Sequence, residues 1–236
     1  MEALYTSRVP YILFSNNENV DPIGVVAIEM CKYAESVGVD GVLVVTPYYN
    51  KTSQRGLIDH FTYLADASEV PLIMYTVPGR TGMNMNVETV VELAKHEKIV
   101  ALKDATDNIA YAMDILSKTK DMDFAMYSGC DDNILPFMAA GGKGVISVLS
   151  NVYPRETEKL TQAILKGDLE LARKMAYDLN DVSKYLFVDV NPIMPKAALA
   201  KMGVCGEMVR RPLIKTTEAN KKLLFDAMEK FEAKGY

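Results

Sequence analysis

The sequence predicts an α/β chain, a (β/α) barrel of the TIM type followed by a helical C-terminal subdomain. Three observations predict it. Apolar strand candidates and helical stretches alternate about every 25 to 30 residues, the rhythm of a parallel sheet with helices outside it. The strand candidates are unbroken apolar runs, such as Gly41–Thr46, rather than apolar–polar alternations, as strands buried on both faces require. Each run stops at a loop carrying polar or aromatic residues, as in a barrel whose chemistry gathers at the strands' carboxyl ends.

The elements follow in order. Arg8–Phe14 is the first strand candidate, and Ser15–Asp21 is a polar turn. Asp21-Pro22 offers an N-cap before a proline at the first helical position. A helix then runs to about Val37, with Val25, Ile28, Met30, Cys31 and Ala34 as inner positions and Gly38 as its stop. Gly41–Thr46 is the second strand, and a helix follows over Gln54–Ala67. Val70–Thr76 is the third, ending in the turn-rich VPGRTG, with a helix over about Asn86–His96. The fourth strand, Ile99–Leu102, ends on Lys103. Helix Ile109–Ser117 leads to the fifth, Phe124–Ser128, and to Gly129-Cys130-Asp131-Asp132. Helix Asn133–Ala140 closes on Gly141-Gly142, a tight turn into the sixth strand, Gly144–Leu149. Beyond Pro154 the pattern is helical only, over roughly 155–166, 168–187, 192–202 and 216–234. The reading is an incomplete (β/α) barrel over 1–153 and a helical subdomain over 154–236, because six strands are counted where a closed barrel needs eight.

Composition narrows the function. The 236 residues, 49% hydrophobic and 24% charged, suffice for one sizeable core. A net charge of −5 and a pI of about 5.2 argue against nucleic-acid or membrane-surface partners. No apolar run approaches the roughly 20 residues of a membrane span, and MEALYTSRVP carries no secretory signal pattern. Cys31, Cys130 and Cys205 are odd in number and far apart, which suits a reducing cytoplasm and neither a disulfide framework nor a metal site. His60 and His96 are too far apart to suggest a metal centre.

Lys103 is the chemical focus. A lysine ending a core strand is costly to bury; burial lowers its pKa and makes the amine a nucleophile able to form Schiff bases with carbonyl substrates. The bland alternative is a side chain snorkelling to water. Tyr75, Lys103 and Gly129 close the third, fourth and fifth strands and would line one barrel mouth. A tyrosine hydroxyl there can move protons on and off a carbinolamine, or it is a core aromatic with its hydroxyl at the rim. Arg80 can clamp a carboxylate in bidentate fashion, or it is a solvated loop arginine. Cys130 has no histidine to activate it and is not assigned as a nucleophile.

Six segments carry a family resemblance: TPYYN (46–50), YTVPGRTG (75–82), ALKDAT (101–106), YSGCDD (127–132), GVISVLSN (144–151) and NPIMPK (191–196). Together they resemble the dihydrodipicolinate synthase family, a group of Schiff-base aldolases that also contains N-acetylneuraminate lyase. The proline-glycine-arginine turn is similar to that of the synthases rather than the sialic-acid lyases. The resemblance implies condensation of pyruvate with aspartate semialdehyde, without metal or organic cofactor, by a homo-oligomer, a dimer or a tetramer built of dimers. It implies that Lys103 forms the imine, Tyr75 relays protons, Tyr49 reaches into the partner's site and Arg80 holds the semialdehyde carboxylate. Gly129 and Ile146 match positions whose backbone lines the pyruvate pocket.

The resemblance also implies departures. The family's first two βα units, the second ending in a loop whose two threonines bind the pyruvate carboxylate and bridge the relay tyrosines, have no counterpart in this sequence. LFSNNENVD stands where the family has a glycine-threonine-glycine turn. Two expectations follow: open sheet edges covered by an oligomer or by the N-terminal segment, and turnover slowed by orders of magnitude. The rival readings are a catalytically impaired relative acting as scaffold or regulatory subunit, and a pyruvate-dependent aldolase using another aldehyde.

Overall fold

The structure, a computed structural model, describes residues 23–235. The strand expected at Arg8–Phe14, the turn Ser15–Asp21 and the Asp21-Pro22 cap lie outside the described residues. Among the described residues are five strands, in the order β1-β2-β3-β4-β5 within one sheet. They are β1 (Val42–Val45), β2 (Leu72–Thr76), β3 (Ile99–Asp104), β4 (Ala125–Ser128) and β5 (Gly144–Val145). The pairings β1·β2, β2·β3 and β3·β4 are all parallel. Contacts divide the chain into two compact units.

The first unit holds the described residues to Gly129 together with Ala140–Gly144. Its strands alternate with α1 (Ile23–Ser36), α2 (Gln54–Ala67), the single turn α3 (Pro78–Thr81), α4 (Val87–Leu93) and α5 (Ile109–Thr119). Burial on both faces explains the unbroken apolar runs. Val44, Met74, Leu102 and Met126 are at most 1% exposed and point to one face. Leu43, Ile73 and Ala101 form an apolar cluster with Tyr75, Ala125 and Tyr127 on the other. Helix α2 begins where Ser53 Oγ accepts the Gly56 amide, the cap that serine before such a run provides.

One expectation for α1 is corrected. Ala27, Cys31 and Ala34 form its buried stripe, whereas Met30 is exposed. The spacing of four and then three residues sets that face, and Met30, on the flank of the stripe away from Cys31, is left exposed. Gly38, at φ 78°, terminates the segment as expected.

The second unit comprises Cys130–Ala139 and the chain from Val145 onward. A 3₁₀ turn at Asp131–Asn133 leads into α6 (Ile134–Ala139), and four longer helices follow: α7 (Pro154–Leu165), α8 (Leu169–Tyr185), α9 (Ile193–Lys201) and α10 (Glu218–Glu232). Leu160 and Ile164 of α7, Met175, Leu179 and Val182 of α8, and Leu224, Met228 and Phe231 of α10 share one core. The Tyr153 hydroxyl donates to Glu232 Oε1 at 2.8 Å while its ring meets Phe231 edge-on at 4.9 Å.

The sixth predicted strand is also corrected. Gly144–Leu149 is a strand only over Gly144–Val145 and turns into a 3₁₀ segment at Leu149–Asn151. The amides of Val148 and Leu149 donate to the Asp131 carboxylate at 3.0 and 2.9 Å, and the Ser150 amide donates to Ser147 Oγ at 2.8 Å. Side chains thus take the hydrogen bonds that a longer strand would give to a neighbour.

Candidate active site

Register builds the site from the strand ends. Val45 pairs with Tyr75, Tyr75 with Lys103, and Lys103 with Tyr127, so these four residues form one row across β1–β4. Their side chains share a face because pairing in register preserves the alternation. Beneath that row lie Leu43, Ile73 and Ala101, an apolar floor. Lys103 is only 6% exposed, and its Nζ lies 4.3 Å from the centre of the Tyr75 ring. The amine is therefore packed against an aromatic face and kept from bulk water, where a carbonyl can meet it without competing solvation.

Gly129 is explained by the space around it. A β-carbon there would lie 2.7 Å from Ala105 Cβ, 3.1 Å from the Asp104 carbonyl and 3.2 Å from Lys103 Cε. The Gly129 amide donates to that same carbonyl at 2.7 Å. Glycine lets the strand-end backbone approach the lysine stem closely.

The neighbouring polar groups are buried too. Asp104, 4% exposed, accepts the Thr106 amide at 2.9 Å, and burial raises its carboxyl above the usual range despite that bond. Burial likewise raises the Tyr127 phenol. Tyr111, whose hydroxyl donates to the Met85 carbonyl at 2.8 Å, is raised by burial first and by the Asp104 charge second.

The other expected residues are placed as follows. Arg80 sits exposed on α3, the one-turn helix that Gly82 closes in the left-handed conformation at φ 60°. Tyr49 is 78% exposed in the loop after β1. Ile146 is half-buried in the second unit, just after β5. Within the first unit, Tyr75, Lys103 and Gly129 come together as the strand ends predict. Two residues were not singled out from the sequence. Tyr127 borders Lys103 opposite Tyr75, and only register reveals it. Lys51 brings its Nζ to 2.7 Å from where a Gly82 β-carbon would stand, adding a second cation to the Arg80 turn.

A parallel sheet flanked by helices, with a lysine buried at the carboxyl end of a central strand, defines the class: an α/β chain built of βα units. The chain belongs to the dihydrodipicolinate synthetase family, whose profile matches residues 25–231. It is 44% identical to the 4-hydroxy-tetrahydrodipicolinate synthase of Exiguobacterium sibiricum over 225 residues, 95% of this chain and 75% of that one. The dihydrodipicolinate synthase of Aquifex aeolicus superposes with a TM-score of 0.86 at 40% identity, covering 89% of this chain and 71% of that one. The chloride-inhibited enzyme of Acinetobacter baumannii, solved in complex with pyruvate, gives a TM-score of 0.86 at 35% identity, covering 89% and 72%. The fold is thus the TIM-barrel α/β fold, and the family is one of lyases of lysine biosynthesis. Among the described residues no helix is long and apolar enough to cross a membrane.

Proposed function

We propose that this chain is a lysine Schiff-base lyase condensing pyruvate with L-aspartate 4-semialdehyde to 4-hydroxy-tetrahydrodipicolinate. One observation carries the reading: the Lys103 amine is buried at the end of β3 against the ring of its register partner Tyr75. Names of relatives at 44% identity, and the pyruvate complex of the Acinetobacter enzyme, support the substrate pair.

In this reading Lys103 Nζ adds to the C2 carbonyl of pyruvate. The carbinolamine loses water to give an imine, with Tyr75 delivering and accepting the protons. Loss of a C3 proton yields an enamine, which attacks the aldehyde carbon of the semialdehyde. Arg80 holds the carboxylate of that second substrate. Gly129 and Ile146 line the pyruvate pocket with backbone, and Tyr49 reaches the site of a partner subunit in a dimer or tetramer. No metal or organic cofactor takes part.

The finer reading has two further parts. Residues 1–153 form the barrel part and 154–236 the helical part, although contacts group 130–139 and 145–153 with the helices. The compartment is cytoplasmic.

Borohydride trapping with pyruvate, read by intact mass, tests the first step. A pyruvyl adduct on wild type that disappears in Lys103→Ala is expected; an adduct absent from wild type, or surviving in the variant, overturns the imine. A coupled assay with the semialdehyde then separates a slow synthase from a scaffold that stops at the imine.

A further inference from the structure

Asp131 lies outside the groups that touch substrate in the proposed reaction, yet it is 7% exposed. A buried carboxylate needs partners. One of its oxygens, Oδ2, accepts two consecutive amides, Val148 N–H at 3.0 Å and Leu149 N–H at 2.9 Å. Both belong to the corner that follows β5 and contains Ile146, within the second unit. That corner also closes on itself. Ser147 Oγ accepts the Ser150 amide at 2.8 Å, the Ser150 hydroxyl donates to the Ser147 carbonyl at 3.2 Å, and the Asn151 amide group donates to the Val148 carbonyl at 3.0 Å. Those bonds fix residues 147–151 relative to one another. The carboxylate, 17 and 18 residues upstream, ties them by hydrogen bonds to another segment.

We infer that Asp131 is a positioning residue that sets the conformation of the Ile146 corner and thereby the affinity for pyruvate. The inference rests on the proposed function in one respect, the reading of Ile146 as pocket backbone. The two donated bonds hold Val148 and Leu149 out of strand geometry, so β5 ends at Val145 and Ile146 lies beyond the strand. A pocket built from backbone has no side chain with which to correct its own position; an anchor one turn away must supply it. What the role needs is an acceptor oxygen at this place. An asparagine retains one and an alanine does not.

The experiment compares Asp131→Asn and Asp131→Ala in the full chain, with pyruvate KM, semialdehyde KM, kcat and amide exchange at Val148 and Leu149 as readouts. In Asp131→Ala, pyruvate KM is expected to rise at least tenfold, with semialdehyde KM and kcat within about threefold, and exchange at the two amides to accelerate. In Asp131→Asn, pyruvate KM and exchange are expected to stay within about threefold of wild type. Should the alanine variant fail to fold, the asparagine variant decides. A tenfold rise in its pyruvate KM, or loss of its amide protection, overturns the role. A folded alanine variant with unchanged pyruvate KM also overturns it, provided wild type traps pyruvate. A wild type that traps none overturns the functional reading instead.

Discussion

Lys103 Nζ stands 4.3 Å from the centre of the Tyr75 ring, and the two residues are direct register partners on neighbouring parallel strands. The backbone pairing itself sets this juxtaposition. Each strand needs only to keep its apolar residues inward, and the last inward position of each then meets the other at the rim.

Replacing Lys103 with alanine removes the proposed nucleophile and little else. Imine trapping is expected to vanish and turnover to fall at least about a thousandfold. Stability should hold or rise slightly, because a buried amine is given up and the β3 backbone pairing with β2 and β4 is kept. Urea unfolding monitored by circular dichroism, beside the borohydride mass assay, checks both.

Tyr75→Phe keeps the ring against the amine and deletes only the hydroxyl. Equilibrium trapping of pyruvate is expected to persist, while the rate of imine formation falls by roughly 10²- to 10⁴-fold, the usual worth of a positioned proton donor. Stopped-flow trapping at several delays measures that rate. An unchanged rate would remove the relay role.

Gly129→Ala pushes a methyl into a space already occupied by the Asp104 carbonyl and the Lys103 stem. Overpacking of this kind costs about 1–3 kcal/mol. We expect a lowered urea midpoint and slower imine formation together, since the same atoms carry both. A variant with wild-type midpoint and wild-type trapping would show that the strand ends adjust freely.

Much of this was legible beforehand, and the failures have physical causes. The apolar run Ile99–Leu102 identifies a two-faced strand, so its terminal lysine stands out against it. Tyr127 did not, because its place beside Lys103 depends on register, a relation between strands that no single segment encodes. Asp131 reads in the sequence as one acid of a polar turn. Its partners are backbone amides, which every residue but proline carries and no side-chain pattern reveals. The same two bonds ended β5 early, where GVISVL has all the propensity of a longer strand. In α1 the small residues Ala27 and Ala34 pack inward with Cys31 while Met30 stays outside, so hydrophobicity alone misplaced Met30.

Arg80→Ala tests substrate assignment rather than chemistry. Arg80 is exposed on a one-turn helix. Its removal is expected to raise the semialdehyde KM about 10- to 100-fold, the worth of roughly 1.5–3 kcal/mol for a charge-assisted contact. Pyruvate KM and imine trapping should not move. Equal changes in both KM values would assign the arginine to the site as a whole.

Cys31 gives a pH prediction. The thiol is 2% exposed, and burial, helped by the nearby Glu35 charge, raises its pKa from 9.0 to about 11. Between those values the unfolded chain has released the proton while the folded chain keeps it. The unfolded state then binds fewer protons, so stability falls as pH rises. The contribution is fully present below about pH 9 and is lost progressively as pH climbs through about 11. Other groups titrate in this range, so the measure is a difference: urea midpoints of wild type minus Cys31→Ala, at pH 8 and at pH 10.5. Cys31→Ala should be less stable at pH 8 because it loses packing, and that gap should narrow at pH 10.5. A thiol-reactive dye at pH 8 should label the exposed Cys205 promptly and Cys31 only once the chain is unfolded. Prompt labelling of Cys31 in the folded chain, or a gap that stays constant with pH, would mean the α1 stripe is open to solvent.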